Sequence, residues 1–265
     1  MKMNHMQHPD TQGKCAVLIV SCDKYKDLWG PCITLFRRFW NDCSYPVYLL
    51  SNTVQVDFPN VTSILTGRDV SWSDNLLFAL EQIPCSHVLL YIEDLFLVNP
   101  VASQTIHSLI EQCIREDWNY LRLNPTPKGD MKIDDFISEI SPGSVYRSSV
   151  VFSVWKIETL KQILKSGESA WDFEEIGTAR TDSHSKFYAS NQELIPACNT
   201  VIKGVWELEA LKKIKDLGIE PDLQSRRSMS SHEYMIWKLK QFRSLLFHLM
   251  PHSSKRKIRS IFRWN

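Results

Sequence analysis

The sequence predicts an α/β fold, a mostly parallel sheet flanked by helices, in a single domain with a basic helical C-terminal tail. Short continuous apolar runs rich in β-branched residues alternate with segments whose apolar residues recur at helical spacing. The runs are apolar throughout rather than every second residue, the pattern of strands covered on both faces and therefore parallel. The 265 residues, 43% hydrophobic and 23% charged, suffice for one large core, and nothing like a linker divides them.

The elements follow in order. Lys14–Cys22 (KCAVLIVSC) is a first strand. In PCITLFRRFW the residues Ile33, Phe36, Phe39 and Trp40 fall at helical spacing. YPVYLLS and NVTSILTG are a second and a short third strand. SWSDNLLFALEQI places Leu76, Leu77, Leu80 and Ile83 on one helical face, with Ser71 or Ser73 as the cap. HVLLYIE is the fourth strand, VASQTIHSLIEQCIRE a helix and WNYLRLN a further strand. PTPKGDMKIDDF, rich in turn formers and charge, is expected to be a surface loop. Beyond Ser138 the pattern is less regular. SSVVFSVW is a strand, KIETLKQILKSG a helix ending at Gly167, WDFEEIGTARTDS a short helix, and NTVIKGVW a strand or loop turning at Gly204.

Composition excludes several classes. Seven scattered cysteines, an odd number with no C-x-x-C pair, argue for free thiols rather than disulfides or zinc. The first fourteen residues are polar, so no secretory signal is expected, and no apolar run reaches the ~20 residues of a spanning helix. The net charge of +1 conceals an asymmetry. Ser231–Asn265 holds eight Lys and Arg against one acid, or +7, leaving −6 for the 230 residues before it. A basic tail on an acidic body points to an anionic partner for the tail. The body shows no basic groove, so its aromatic residues do not argue for nucleic acid.

Glu93 and Asp94 interrupt the run HVLLYIEDLFLVNP where the fourth strand ends. In open α/β sheets ligands bind outside the carboxyl ends of the strands. Carboxylates there either cap the strand end by accepting from backbone N–H groups or hold a hard divalent cation that bridges to phosphates. The chain has neither G-x-G-x-x-G nor G-x-x-x-x-G-K-[ST], so the common glycine-rich phosphate loops are absent. Asp172, Glu174 and Glu175 are carboxylates flanked by Trp171, Phe173 and Ile176, neighbours that would raise a carboxyl pKa and suit it to general-base work. They are equally the acids expected in the first turn of an amphipathic helix.

Four stretches in this order, VLIVSCDKY, SWSDNLLFAL leading into VLLYIEDLFLVNPV, ESAWDFEEIGTAR and NTVIKGVW, resemble bacterial glycosyltransferases of the GT-A fold from capsule and O-antigen gene clusters. They span about Val17 to Trp206. The resemblance implies a GT-A-like catalytic domain, taken as 14–230; composition sets it between a disordered tail of residues 1–13 and a membrane-associating tail of 231–265. It implies a nucleotide-diphosphate sugar donor, foremost a UDP-sugar, and a saccharide acceptor, expected to be lipid-linked. The family's metal motif is D-x-D, whereas here the acids are adjacent. Asp94 is assigned a manganese or magnesium ion and Glu93 a supporting sugar or ribose contact. Ser21 and Asp23 would face the base or ribose, and Trp72 and Asp74 the donor, although SCDKY is also a good turn and Asp74 a helix-cap residue. In W-x-F-E the resemblance selects Glu174 as the base of an inverting transfer, with Asp172 second. Lys203, and after it Arg180, would offset the charge of the leaving diphosphate. Two other classes stay open: a non-catalytic glycosyltransferase-like subunit and a nucleotidyltransferase.

In the tail, Phe242, Leu245, Leu246 and Leu249 share a helical face ringed by Lys238, Lys240 and Arg243, and Pro251 stops that helix. SSKRKIRSIFRW follows as a second basic amphipathic segment. This is the composition of a helix lying in an anionic membrane interface. The expectation is a cytoplasmic protein, peripheral on the inner face of the cell membrane.

Overall fold

The computed structural model describes residues 13–249, with side chains as far as Gln241. The tail face built on Phe242, Leu245, Leu246 and Leu249, the basic segment after Pro251 and residues 1–12 lie outside the described side chains. The strands are β1 (Cys15–Val20), β2 (Val47–Ser51), β3 (Val61–Leu65), β4 (His87–Ile92), β5 (Leu95–Leu97), β6 (Tyr120–Arg122), β7 (Met131–Lys132), β8 (Ile137–Glu139), β9 (Ser153–Lys156), β10 (Phe187–Ser190), β11 (Ala197–Asn199), β12 (Val201–Ile202) and β13 (Val205–Trp206). The helices are α1 (Lys26–Phe39), α2 (Trp72–Gln82), α3 (Ser103–Arg115), α4 (Ile157–Ile163), α5 (Ala170–Glu175), α6 (Leu208–Asp216) and α7 (Ser231–Leu249).

The main sheet runs β3-β2-β1-β4-β9-β6-β10-β8-β7. The first four are parallel, β9 is antiparallel to both its neighbours, and β10 returns parallel to β6. All six residues of β1 are buried, because helices cover both faces. Cys15, Val17 and Ile19 pack with residues of α1 and α3. Ala16, Leu18 and Val20 pack with residues of α2, α4 and α5. The expected class, a single α/β domain with a mostly parallel sheet, is the one found.

Some elements differ from expectation for local reasons. α1 begins at Lys26, five residues before Pro31, and buries Leu28 and Trp29 as well as the expected face. The strand expected over SSVVFSVW starts only at Ser153, since Ser149 and Val150 are drawn aside to bind Glu174. The expected surface loop contains β7 and leads into β8, its turn capped by the Asp134 carboxylate, which accepts from Phe136 and Ile137 N–H. α4 stops at Ile163 rather than Gly167. β10 and α6 were not expected at all. All seven cysteines are free.

Candidate active site

The strand order locates the site. From β1 the chain steps outward to β2 and β3, then crosses back to lay β4 on the other side of β1. Such a reversal opens a crevice outside the carboxyl ends of the two central strands. Ser21, Cys22 and Asp23 follow β1 there, and Glu93 and Asp94 follow β4.

The two acids are poorly neutralised. Glu93 is 6% exposed, and burial together with the charge of Asp94 pushes its carboxyl up to about 8. Burial pushes Asp94 up to about 6. The main-chain donor acting on each carboxylate is its own N–H, and among the described residues no side chain donates a hydrogen bond to either. Carboxylates that merely cap structure are bound very differently in this chain. Asp23 accepts from the N–H groups of Asn52, Thr53 and Val54 and from the Thr53 hydroxyl, which hold it below the usual range.

The counter-charge comes from Arg226, far away in sequence. Its guanidinium grips Asp27 with two bonds of 2.8 and 2.9 Å, and the two side chains are 6% and 7% exposed. It also donates to the carbonyls of Lys24 and Gly204 and lies over the Tyr25 ring, 4.8 Å from its centroid. Its charge favours the ionised form of both Glu93 and Asp94. The segment is set in place by pairing with β13: Trp206 N–H donates to the Arg227 carbonyl and Met229 N–H to that of Trp206.

Lys203 sits at the tip of the β12–β13 hairpin, where Lys203 (φ 51°) and Gly204 (φ 81°) both take left-handed conformations, as a two-residue turn with right-handed strand twist requires. The hairpin is held beside the acid pair. Thr200, just before it, donates its N–H and hydroxyl to the Asp94 carbonyl, and Arg226 holds the Gly204 carbonyl. The Lys203 side chain is exposed.

A second feature lies farther along the same edge. A cleft of about 440 Å³ is lined by Arg122, Asn124, Tyr146, Ser149, Glu174 and Glu193 among others. β9 separates β4 from β6, so the ends of β4 and β6 are roughly 10 Å apart. Glu174 Oε1 accepts from the Ser149 hydroxyl and Val150 N–H, both at 2.8 Å. Burial raises its pKa, against the pull of those bonds and of the Arg122 charge. Arg122, 1% exposed, donates to the carbonyls of Tyr146 and Pro127 and makes no ion pair within 4 Å among the described residues. Tyr146 (φ 54°) and Phe152 (φ 44°) bracket this segment in left-handed backbone that bulky residues rarely adopt, and such strain gathers at functional sites.

Several residues expected to meet a ligand are instead engaged by the fold. Ser21 Oγ accepts from the Trp29 indole at 2.8 Å. Trp72 packs on Phe173, with ring centroids 5.5 Å apart. Asp74 accepts from the hydroxyl of Ser71, the α2 cap, and from Gly167 N–H. Asp172 and Ser169 form a reciprocal capping box at the start of α5. The Arg180 fork binds Glu168 through both nitrogens, and its Nε donates to the Ile163 carbonyl. Of the candidates, Glu93, Asp94, Lys203 and Glu174 keep groups that a ligand could use. Sequence reasoning missed Arg226, Asp27 and Arg122, which carry no local motif.

Among the described residues no group of three His, Cys, Asp or Glu could hold a metal by itself. The acid pair fits a different mode, in which magnesium or manganese takes one or two protein carboxylates and fills its shell with substrate phosphate and water.

No protein-family model matches the chain, and no curated protein is similar to it at a significant level. Solved structures are. S. aureus TarS 1-349 shares 11% identity at a TM-score of 0.45, over 69% of this chain and 59% of that one. Its complex with UDP gives 13% and 0.48, over 80% and 67%. UTP-bound UGPase from Acinetobacter baumannii gives 13% and 0.48, over 89% and 99%. This chain thus spans 59% of TarS 1-349 in one comparison and 67% in the other. With TM-scores below 0.5 these likenesses decide nothing about chemistry, which rests on the chain's own residues.

The Arg226–Asp27 pair gives a direct prediction. Arg226→Ala leaves Asp27 buried without its partner and should cost about 3–5 kcal/mol in denaturant unfolding. The double variant Asp27→Ala/Arg226→Ala should be more stable than Arg226→Ala alone. Strictly additive losses would refute the coupling.

Proposed function

We propose that the protein is a glycosyltransferase that moves a sugar from a nucleotide-diphosphate sugar, foremost a UDP-sugar, to a lipid-linked saccharide during assembly of a surface polysaccharide of the capsule or O-antigen kind. The observation that carries this reading is the acid pair at the switch point, Glu93 buried and Asp94 half-buried, under-neutralised and, among the described residues, not consumed by capping bonds. Fold class alone would not support it.

Asp94 would hold the manganese or magnesium ion, with Glu93 beside it contacting the sugar or ribose. Bound there, the ion would offset the charge of the diphosphate. Glu174 accepts the proton of the acceptor hydroxyl. The hydroxyl oxygen bonds to the anomeric carbon as the bond from that carbon to the diphosphate oxygen breaks, inverting the centre. The nucleoside diphosphate leaves with the bonding pair, and Lys203 supplies positive charge as it departs. The Ser149 hydroxyl and the Val150 N–H orient Glu174 through Oε1, leaving the other oxygen for the substrate.

α7 supports the membrane reading. Tyr234 and Lys238 bind Glu209 of α6, both at 2.5 Å, so that side faces the body. Met235, Ile236 and Leu239 share a different face and are exposed. An apolar stripe turned away from the body, within a segment of charge +7, suits an anionic bilayer surface. No helix among the described residues is long and apolar enough to cross a membrane.

With UDP-sugars, manganese and a saccharide acceptor, Glu174→Gln should lower transfer by about 10²-fold or more while leaving UDP affinity unchanged. The base must be ionised and burial raises its pKa, so the rate should fall with decreasing pH through a value above 4.5, the ordinary glutamate value. Undiminished turnover by Glu174→Gln would remove it as the base. The full chain should co-sediment with anionic vesicles, be released by high salt and ignore neutral vesicles. Equal binding to both would overturn the electrostatic part.

A further inference from the structure

Trp171 is the most exposed large apolar side chain described, at 73%, and among the described residues it has no place in the core clusters. Its position on α5 is informative. Phe173, wholly buried among Trp72 and Trp155, fixes the core side of this short helix. At about 100° per residue, Glu174 lies about 100° round the axis from Phe173, and Trp171 about 60° farther in the same direction. Residues three apart on a helix are surface neighbours, with Cβ atoms about 5–6 Å apart. Glu174 lines the cleft, and Trp171 shares its side of α5 one turn nearer the helix start, just outside the residues that form the wall.

The cleft wall offers Glu174 and Glu193, which when ionised can only accept hydrogen bonds, with Ser149, Asn124 and the buried Arg122 alongside. Its volume of about 440 Å³ falls in the range of small-molecule sites. A ligand that satisfies both the wall and Trp171 must present several O–H donors and one flat apolar face. A pyranose ring does so, with hydroxyls at its edge and C–H groups on its face. An amphipathic indole is suited to cover that face.

We propose that Trp171 is a stacking platform for a pyranose of the acceptor, which it holds with one hydroxyl turned toward Glu174. This deepens the glycosyltransferase reading and rests on it only in taking the cleft as the acceptor side. Glu174 then meets an oriented sugar rather than a freely tumbling one.

Saturation-transfer NMR on the full chain, with UDP and manganese present, tests this using methyl α- and β-glycopyranosides of common hexoses, 6-deoxyhexoses and N-acetylhexosamines. At least one should receive saturation, strongest at its ring C–H protons. Trp171→Ala should weaken that binding by about tenfold, and Trp171→Phe should restore most of it. Thermal stabilisation by UDP should be the same in all three proteins. If no glycoside binds while UDP does, or if Trp171→Ala binds as well as wild type, the platform is refuted and the donor reading stands. If glycosides bind through Trp171 but no nucleoside diphosphate does, the platform stands and the donor reading fails.

Discussion

Two adjacent carboxylates at the end of a central, buried strand repel each other and lose hydration, and the site is organised around that cost. Burial is the largest influence on both, and it drives them toward the protonated form. A fold that needed only a strand cap could have used the arrangement it gives Asp23, whose carboxylate is surrounded by backbone donors. Instead, Arg226 is brought in from the far end of the domain and shared with Asp27. With all four groups ionised, three carboxylates face one guanidinium. The residual charge of −2 is what one divalent cation cancels.

Arg226 is therefore more than a counter-ion. It joins the turn after β1, the hairpin bearing Lys203 and the segment leading into α7 through one planar group. Break it and each of these loses an anchor, while a buried Asp27 is left alone. The cleft around Glu174 is built on a separate principle. There the strained segment from Tyr146 to Phe152 turns Ser149 and Val150 toward one carboxylate oxygen and shortens β9 to do so. The acid pair follows β4 and the Glu174 cleft opens beside β6, with β9 between those two strands. Two substrates, one at each, would meet at the strand ends.

Much of the framework was legible because it rests on local pattern. Strands buried on both faces must be continuously apolar, so β1 and β4 stood out, and the carboxylates at the end of β4 stood out against them. The Ser71 cap and the turn at Gly204 followed from residues whose backbone roles are narrow. β10 escaped notice because four residues, FYAS, show no period, although it lies inside the sheet between β6 and β8. Asp74 looked like a ligand contact and equally like a cap residue, and Asp172 like a base and equally like a first-turn acid; only geometry shows Asp74 bound to the Ser71 hydroxyl and Asp172 in a capping box. Arg180 was expected to offset the charge of the leaving diphosphate, and its fork is taken by Glu168. Arg226 could not be found at all, since its partners lie about 200 residues earlier and an Arg-Arg doublet before a helix announces nothing.

The central claim is that the acid pair grips a nucleoside diphosphate through a cation. Electron paramagnetic resonance of manganese added to the full chain tests it most directly. The account predicts one tightly held ion per chain when UDP is present, lost in Asp94→Asn, with UDP affinity falling in the same variant. UDP bound equally well in the presence of a chelator, and by Asp94→Asn, would contradict it.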